Sequence, residues 1–393
     1  MTINSKLKVA IVHDWIIKRR GAEKCLEAFC EIFPNADVYT LFYKKGVSKI
    51  VDGRKVYTSF LQKFPLWKFY YRYLYFLMPV AIERFNLDRY DIVVSSNFCV
   101  SKGVITKPET LHVSYVHSPM RYAWDMYEQY FGKRGGFSRL KRLIILPLVS
   151  VLRLWDQSSS VRPDFLVSNS RLVKERVKKY WRKDSKILNP PVDVSRFRFS
   201  ERKSEYFLMV TTFEPNKRTD LAVRAFTELG YPLKIVGSYG RYMKKVKKMA
   251  GLNIEFLGFV SDDELAKLYS EAKAYVIPGK EDFGIAPLEA ISSGTPVVAY
   301  GDGGALDSII PINSEKEECI RYGAKNGVFF YKRDVSSLKK AVRQLQEYDL
   351  NEGWDKVGMR KWAKRFATSN FKSKMKSLVL NKYEEMTRLP PLR

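Results

Sequence analysis

Short apolar, β-branched runs alternate with helical patterns along almost the whole chain, and this alternation restricts the fold more than any other feature of the sequence. Leu7–His13 reads as a buried strand, a polar turn through Arg19, Arg20 and Gly21 follows, and Ala22–Phe33 has helical periodicity. Further strands are expected at Tyr90–Ser95, Leu111–Val116 and Phe165–Ser168, with a helix at Arg171–Trp181. A strand that is apolar on both faces needs cover on both, and strand–helix–strand order supplies it around a parallel, doubly wound sheet. Asn189-Pro190-Pro191-Val192-Asp193 interrupts the pattern, because two prolines remove two donors and disfavour helix before them. The alternation then restarts. Strands are expected at Tyr206–Thr211, Leu233–Val236, Ile254–Leu257, Ala274–Ile277 and Pro296–Ala299, with helices at Thr219–Leu229 and Asp262–Ala272. The stretch Ser336–Met386 reads as helical and basic. The expectation is an α/β protein of two Rossmann-like domains, residues 1–188 and 189–370. Residues 371–393 are expected as a helix that crosses back to the first domain. A length of 393 residues also favours two cores over one.

Composition removes several classes. Cys25, Cys30, Cys99 and Cys319 form no CxxC pair, and there are only three histidines, so neither a disulfide framework nor a zinc site is expected. Met1–Val9 lacks the apolar stretch of a signal peptide. The best candidate for a membrane span, Leu143–Trp155, is short and contains Pro147 and Arg153. A cytoplasmic location fits these readings. The net charge is +27, and residues 1–188, with 34 basic against 16 acidic side chains, carry the larger share. Such a charge attracts an anionic partner: nucleic acid, a phosphorylated substrate or an anionic membrane.

The strongest chemical signal is Glu281-Asp282-Phe283-Gly284-Ile285-Ala286-Pro287-Leu288-Glu289-Ala290, followed by Ser293-Gly294-Thr295-Pro296-Val297-Val298. It comes directly after the Ala274–Ile277 strand, where open α/β sheets bind their ligands. Gly284 lets backbone approach a ligand closely, and Pro287 suits the first turn of a helix. The amides of Phe283, Ile285 and Ala286 would then face an anion. Glu289, about one turn inside, would reach a diol.

This pattern, two glutamates separated by seven residues with Phe-Gly after the first, resembles retaining glycosyltransferases of family 4, and the resemblance extends over nearly the whole chain. Asn189-Pro190-Pro191-Val192-Asp193 resembles that family's interdomain segment. Phe256-Leu257-Gly258-Phe259-Val260-Ser261 resembles its nucleobase-side loop, and Tyr115-Val116-His117-Ser118-Pro119-Met120-Arg121 resembles a segment of bacterial O-antigen-type polysaccharide mannosyltransferases. The resemblance implies the GT-B architecture, two Rossmann-like domains whose parallel sheets face a central cleft. It implies that Glu289 binds the donor ribose, and that Glu281 and the backbone of residues 283–286 hold the donor sugar and diphosphate. It also implies that His117 sits over the donor sugar and that Val260 lies in the donor site.

A second element is Glu214-Pro215-Asn216-Lys217-Arg218, between a strand and a helix. A fixed cation there would neutralise charge that develops on a departing nucleotide diphosphate. The family usually has an arginine a few residues before the lysine. Here Thr212 stands in that place, so either Arg218 substitutes or one cation acts with backbone donors. Arg20 replaces the first of two glycines usual after the first strand, which leaves Gly21 to approach the diphosphate or acceptor. Gly237-Ser238-Tyr239-Gly240, with Arg241 beside it, is a weaker phosphate-facing turn. No Asp-x-Asp stands near a strand end, so no metal and no cofactor are expected.

These readings converge on a metal-independent, retaining hexosyltransferase. The donor implied is GDP-mannose and the acceptor a lipid-linked or free glycan in surface polysaccharide synthesis, with a UDP-sugar as the alternative donor. Phe64–Pro79 interleaves aromatic and basic residues at helical spacing, and Arg139–Pro147 is a second such stretch. Either stretch could be core or could lie at an anionic membrane surface, with Trp67 inserted among headgroups. Two other classes compete. A basic nucleic-acid-binding protein would leave the paired glutamates unexplained and shows no recognition motif. A Rossmann oxidoreductase needs a glycine-rich fingerprint where this chain has Lys18-Arg19-Arg20-Gly21-Ala22-Glu23.

Overall fold

A computed structural model describes residues 7–132, 138–200, 202–237, 241–314 and 324–388. By contact the chain divides into two units, Met1–Pro191 with Phe371–Arg393, and Val192–Asn370. Each is a parallel sheet with helices on both faces. Strands are numbered in chain order, and only helices of eight residues or more are labelled.

The first unit contains β1 (Val9–Ile16), β2 (Asp37–Tyr43), β3 (Val56–Thr58), β4 (Ile92–Asn97), β5 (Leu111–Val116), β6 (Phe165–Ser168) and β7 (Lys186–Ile187) in the order β3-β2-β1-β4-β5-β6-β7. Its helices are α1 (Gly21–Ile32), α2 (Arg139–Ser158) and α3 (Arg171–Trp181), joined at the end of the chain by α9 (Thr368–Arg388). Alternate residues of β1 serve opposite faces, as the pleat requires. Val9 and Ile11 enter a core with α1 and with Phe371, Met375 and Val379 of α9. Ala10 and Val12 enter a second core with Leu41, Val93, Val149 and Leu152. The Phe371 ring packs 5.7 Å from Phe29 and 5.6 Å from Tyr115.

The second unit contains β8 (Phe207–Val210), β9 (Leu233–Val236), β10 (Ile254–Gly258), β11 (Ala274–Ile277), β12 (Val297–Tyr300) and β13 (Gly327–Phe330) in the order β10-β9-β8-β11-β12-β13. Its helices are α4 (Thr219–Leu229), α5 (Asp262–Glu271), α6 (Ile285–Ser292), α7 (Val335–Asn351) and α8 (Lys356–Lys364). In both units the strand order reverses beside the first strand, between β1 and β4 and between β8 and β11. Neighbouring loops diverge at such a switch point and open a crevice outside the carboxyl ends of the strands.

Several sequence expectations change. The strand expected at Tyr90–Ser95 starts at Ile92, because Tyr90 closes a turn onto the Leu87 carbonyl. The basic stretch Ser336–Met386 is three helices, broken near Gly353, which has φ +73°, and again before Thr368. Phe64–Pro79 is not one helix. Pro65 precedes Leu66 at φ 55°, and only short turns, Trp67–Tyr70, Tyr71–Tyr73 and the start of Met78–Glu83, follow. Trp67 is buried and stacks on Phe42 at 5.4 Å, so the aromatic proposed to insert among headgroups belongs to the core instead.

Candidate active site

In the second unit the loops after β8 and β11 flank the switch point. The β8 loop needs two non-glycine residues in the left-handed region, Phe213 at φ 50° and Arg218 at φ 52°. Such residues are uncommon, and the single turn Pro215–Lys217 lies between them. This bend sends the Lys217 side chain across to the β11 loop. Its Nζ donates to both oxygens of Glu281, at 2.6 and 2.7 Å. Both side chains are about a quarter exposed or less, so the pair is fixed but open to a ligand. Arg218 is turned elsewhere. Its guanidinium is engaged by Asp220 in the first turn of α4, at 3.2 Å. Of the two adjacent cations, Lys217 is the one held at the crevice.

Gly284, at φ +85°, turns the chain into α6 and offers no side chain to cap it. The first amides of a helix have no intrahelical acceptor, so those of Ile285 and Ala286 remain as donors, with no acid in the first turn to oppose an anion. Phe283 is buried and packs on Phe366 at 5.9 Å. Val260 sits in the same apolar cluster. Glu289 is 7% exposed, inside α6, beside the phenols of Tyr269 and Tyr275. Burial pushes both phenols up; the Glu289 charge adds to this at Tyr269, and Glu281 and then Glu289 add to it at Tyr275. The structure thus gathers Lys217, Glu281, Phe283, Gly284, Ile285, Ala286 and Glu289 around one strand end and one helix start.

Gly237 ends β9 where a Cβ would lie 2.0 Å from the Thr211 carbonyl oxygen, so only glycine fits against the β8 loop. Ser238, Tyr239 and Gly240, the rest of that turn, lie outside the described residues.

In the first unit His117 follows β5 and is held on three sides. Its amide donates to Asn97 O at 2.7 Å, its carbonyl accepts from Asn169 Nδ2 at 3.1 Å, and its Nε2 is 2.9 Å from Ser96 Oγ. Gly21 opens α1, where the Arg20 amide donates to the Glu23 carboxylate at 2.9 Å. Asp14, fully buried at the end of β1, accepts four amides, from Phe98, Cys99, Val100 and Ser101, at 2.6 to 2.9 Å. One carboxylate therefore shapes the loop after β4. Burial raises the Asp14 carboxyl above its usual range, against the opposing effect of these bonds.

Sequence reasoning missed the positioning groups. Ser96 and Asn169 are ordinary polar residues until the fold brings them to His117, whereas His13-Asp14 is expected from the sequence in the wall of the first domain and only the hold of Asp14 on four amides was not. Gly279 and Gly304 were also missed. A Cβ at Gly279 would meet the main chain of Asn216 and Lys217 at 2.7 to 3.0 Å, and one at Gly304 would meet that of Phe283 at 2.2 to 2.5 Å. Their signal was available, since each stands just beyond the carboxyl end of a strand.

Two such sheets, each with its switch-point crevice, define the GT-B class of α/β proteins. The fold agrees with that of sucrose-phosphate synthase from Thermosynechococcus elongatus, with a TM-score of 0.70 at 14% identity over 97% of this chain and 100% of that one. Residues 193–357, all within the second unit, match the family described as Glycosyl transferases group 1. Among curated relatives, the alpha-1,3/1,6-mannosyltransferase ALG2 of Kluyveromyces lactis is 25% identical over 328 residues, 69% of this chain. The chain spans 62% of that relative's length. The O-antigen chain mannosyltransferase RfbU of Salmonella typhimurium is 33% identical over 190 residues, 45% of this chain and 50% of RfbU. Among the described residues no cluster of His, Cys, Asp and Glu is arranged to hold a metal ion, and no helix is long and apolar enough to cross a membrane.

Proposed function

We propose that this chain transfers a hexose from a nucleotide-sugar donor to a glycan acceptor, with retention at the anomeric carbon and without a metal ion. The observation that carries the reading is the Lys217–Glu281 pair beside the uncapped start of α6, at the switch point of the unit that matches the Glycosyl transferases group 1 family. When the bond from the sugar to the diphosphate breaks, negative charge grows on the leaving oxygen. The Lys217 ammonium and the α6 amides are already aimed there, and preorganised charge of this kind stabilises a transition state without reorganisation. Glu281 keeps the ammonium in place. Glu289 receives the ribose hydroxyls. Gly237 and Val260 complete the donor side, Arg218 being held away from it by Asp220, while His117 and Gly21 belong to the acceptor-binding first unit. The ammonium and the helix start take the counter-charge role that a divalent ion has elsewhere.

The donor proposed is GDP-mannose, and the acceptor a lipid-linked or free oligosaccharide of surface polysaccharide synthesis, handled at the inner face of the cytoplasmic membrane. Similarity to two mannosyltransferases supports the sugar. Calorimetry with GDP, UDP, ADP and their sugars tests this. Tight binding of GDP and GDP-mannose is expected. Preference for UDP would replace the donor, and failure of every nucleotide sugar to bind would overturn the reading.

A further inference from the structure

The second unit has a cavity at the amino ends of its strands, the edge of the sheet opposite Lys217 and Glu281. Its volume is about 160 Å³, and Lys203, Glu205, Lys273, Asp349, Trp354 and Lys356 are in its lining. Glu205, Lys273 and Pro296, also in the lining, stand just before β8, β11 and β12. Lys203 comes from the segment that leads into β8. Its Nζ donates to Ser270 O at 2.7 Å and to Thr295 Oγ1 at 2.6 Å. The Thr295 hydroxyl gives its own hydrogen to Tyr269 O, at 2.6 Å, so towards Lys203 it can only accept.

Three other covered lysines meet carboxylates. Lys102 donates to Asp156, Lys217 to Glu281 and Lys273 to Glu205, at 2.6 to 2.7 Å, and a carboxylate so close keeps an ammonium charged. Both partners of Lys203 are neutral oxygens. With two N–H groups committed to them, one position on the nitrogen remains. It holds a third hydrogen in the ammonium and a lone pair in the amine. Burial, and then the Lys356 charge, lower the Lys203 ammonium to about 7, while Asp349 acts against them. Glu205 and Lys273, the other charged groups of the lining, pair with each other at 2.7 Å. At neutral pH about half the molecules therefore carry the lone pair. Among the described residues Lys356, which opens α8, is in no ion pair, and the Trp354 indole N–H has no acceptor.

An amine lone pair at a small cavity, with a cation beside it that has no ion pair, suits an electrophile that becomes an anion on addition. Carbon dioxide is such an electrophile and fits a cavity of this size. We propose that Lys203 is a carbamylation site, where the side-chain amine adds carbon dioxide and the resulting carbamate pairs with Lys356. The lone pair forms a bond to the carbon, one C–O π pair moves onto oxygen, and one N–H bond breaks as its proton passes to water. Amine and carbon dioxide thus give carbamate and a proton, with nothing oxidised or reduced. The carbamate nitrogen keeps one hydrogen for Ser270 O, and Thr295 stays bonded to Tyr269 O, so neither group is left bare. Where a cation stood beside a cation, an anion now stands, and it ties the segment before β8 to the start of α8. The site shares no residue with the Lys217–Glu281 crevice and needs no particular transfer reaction.

The test is incubation of the full chain with carbon-13 bicarbonate, the source of carbon dioxide, followed by ethylation of the carbamate with triethyloxonium and peptide mass mapping. At about pH 8 the labelled ester is expected on Lys203, at least about tenfold above the level on exposed lysines such as Lys361. Lys203→Arg keeps the donors and a permanent charge, and loses the label. Lys356→Met leaves the amine in place but removes both the repulsion that favours it and the ion pair that holds the product. Half-labelling then needs about fivefold more carbon dioxide. At fixed carbon dioxide the label rises with pH, and in Lys356→Met that rise moves to higher pH. Should Lys203→Arg fail to fold, the mapped peptide of the parent and the Lys356→Met shift decide alone. The proposal is overturned if Lys203 of the parent carries no more label than exposed lysines, or if Lys356→Met labels as the parent does. Failure of every nucleotide sugar to bind would leave the Lys203 label unchanged, so this proposal and the transferase reading fail separately.

Discussion

Gly304→Ala is a perturbation whose size can be worked from the packing around the Phe283–Gly284 turn. Gly304 donates its amide to the Glu281 carbonyl at 2.9 Å, and the next segment is bridged to the β11 loop through Glu281 and Gly303. A methyl group at Gly304 would lie 2.2 Å from Phe283 Cα, 2.3 Å from its carbonyl oxygen and 2.5 Å from its carbonyl carbon. All three are main-chain atoms, so no rotamer change relieves the overlap. Either the turn or the Gly304 segment must move by about 1 Å to reach ordinary contact. The backbone of Gly304 itself, at φ −66°, suits alanine, so the clash alone is at work. Overpacking of this kind costs roughly 1–3 kcal/mol, which at about 2–4 °C per kcal/mol for a unit of this size lowers its melting temperature by roughly 2–12 °C. Displacing donors by about 1 Å weakens a positioned site by up to about a hundredfold. Nucleotide-sugar affinity should therefore fall at least about tenfold, although Gly304 is assigned no contact with the ligand. Gly53→Ala is the control, because its Cβ would meet only the Lys49 carbonyl oxygen at 3.8 Å. Melting curves and calorimetry of both variants decide the matter. If Gly304→Ala melts and binds as the control does, the turn is not held where the structure puts it.

Other perturbations probe separate parts of the reading. Glu289→Ala removes a charged hydrogen-bonding group, about 1.5–3 kcal/mol, so donor affinity should drop roughly ten- to a hundredfold; unchanged affinity would remove Glu289 from the ribose contact. Lys217→Ala should lower turnover by about a hundredfold or more while the donor Michaelis constant changes far less, because the leaving-group charge is largest in the transition state. EDTA should leave the parent rate intact, and a loss restored by magnesium or manganese would refute metal independence. His112, buried with its Nε2 at 2.9 Å from Ser95 Oγ, is held down to about 3, by burial first and then by the Arg162 charge. Between pH 3 and 6.5 the unfolded chain binds this proton and the folded chain does not, so this contribution to stability is lost as pH falls below 6.5. It amounts to about 2 kcal/mol at pH 5. Denaturation of His112→Asn at pH 7 and pH 5 should show that much less pH dependence than the parent, and an equal slope would count against a neutral buried imidazole.

Much of this molecule was legible in local pattern. The restart of alternating strands and helices after Asn189-Pro190-Pro191 needs only periodicity and the loss of two donors. The segment from Glu281 to Glu289 is likewise contiguous, so its strand end, left-handed glycine and helix start can be read in order. What could not be read was which face of an apolar stretch would be covered. Periodicity tells which residues share a side of a helix, not what packs against that side. Trp67 and Leu143 look alike in sequence, yet Trp67 is stacked on Phe42 and Leu143 faces solvent. The same limit separated Lys217 from Arg218. Adjacent cations are equivalent until a left-handed bend at Phe213 and Arg218 sends one to Glu281 and leaves the other to Asp220. Asp14 is the extreme case. Its carboxylate shapes a loop more than 80 residues away in sequence, and only a parallel sheet that sets β1 beside β4 brings those four amides within its reach.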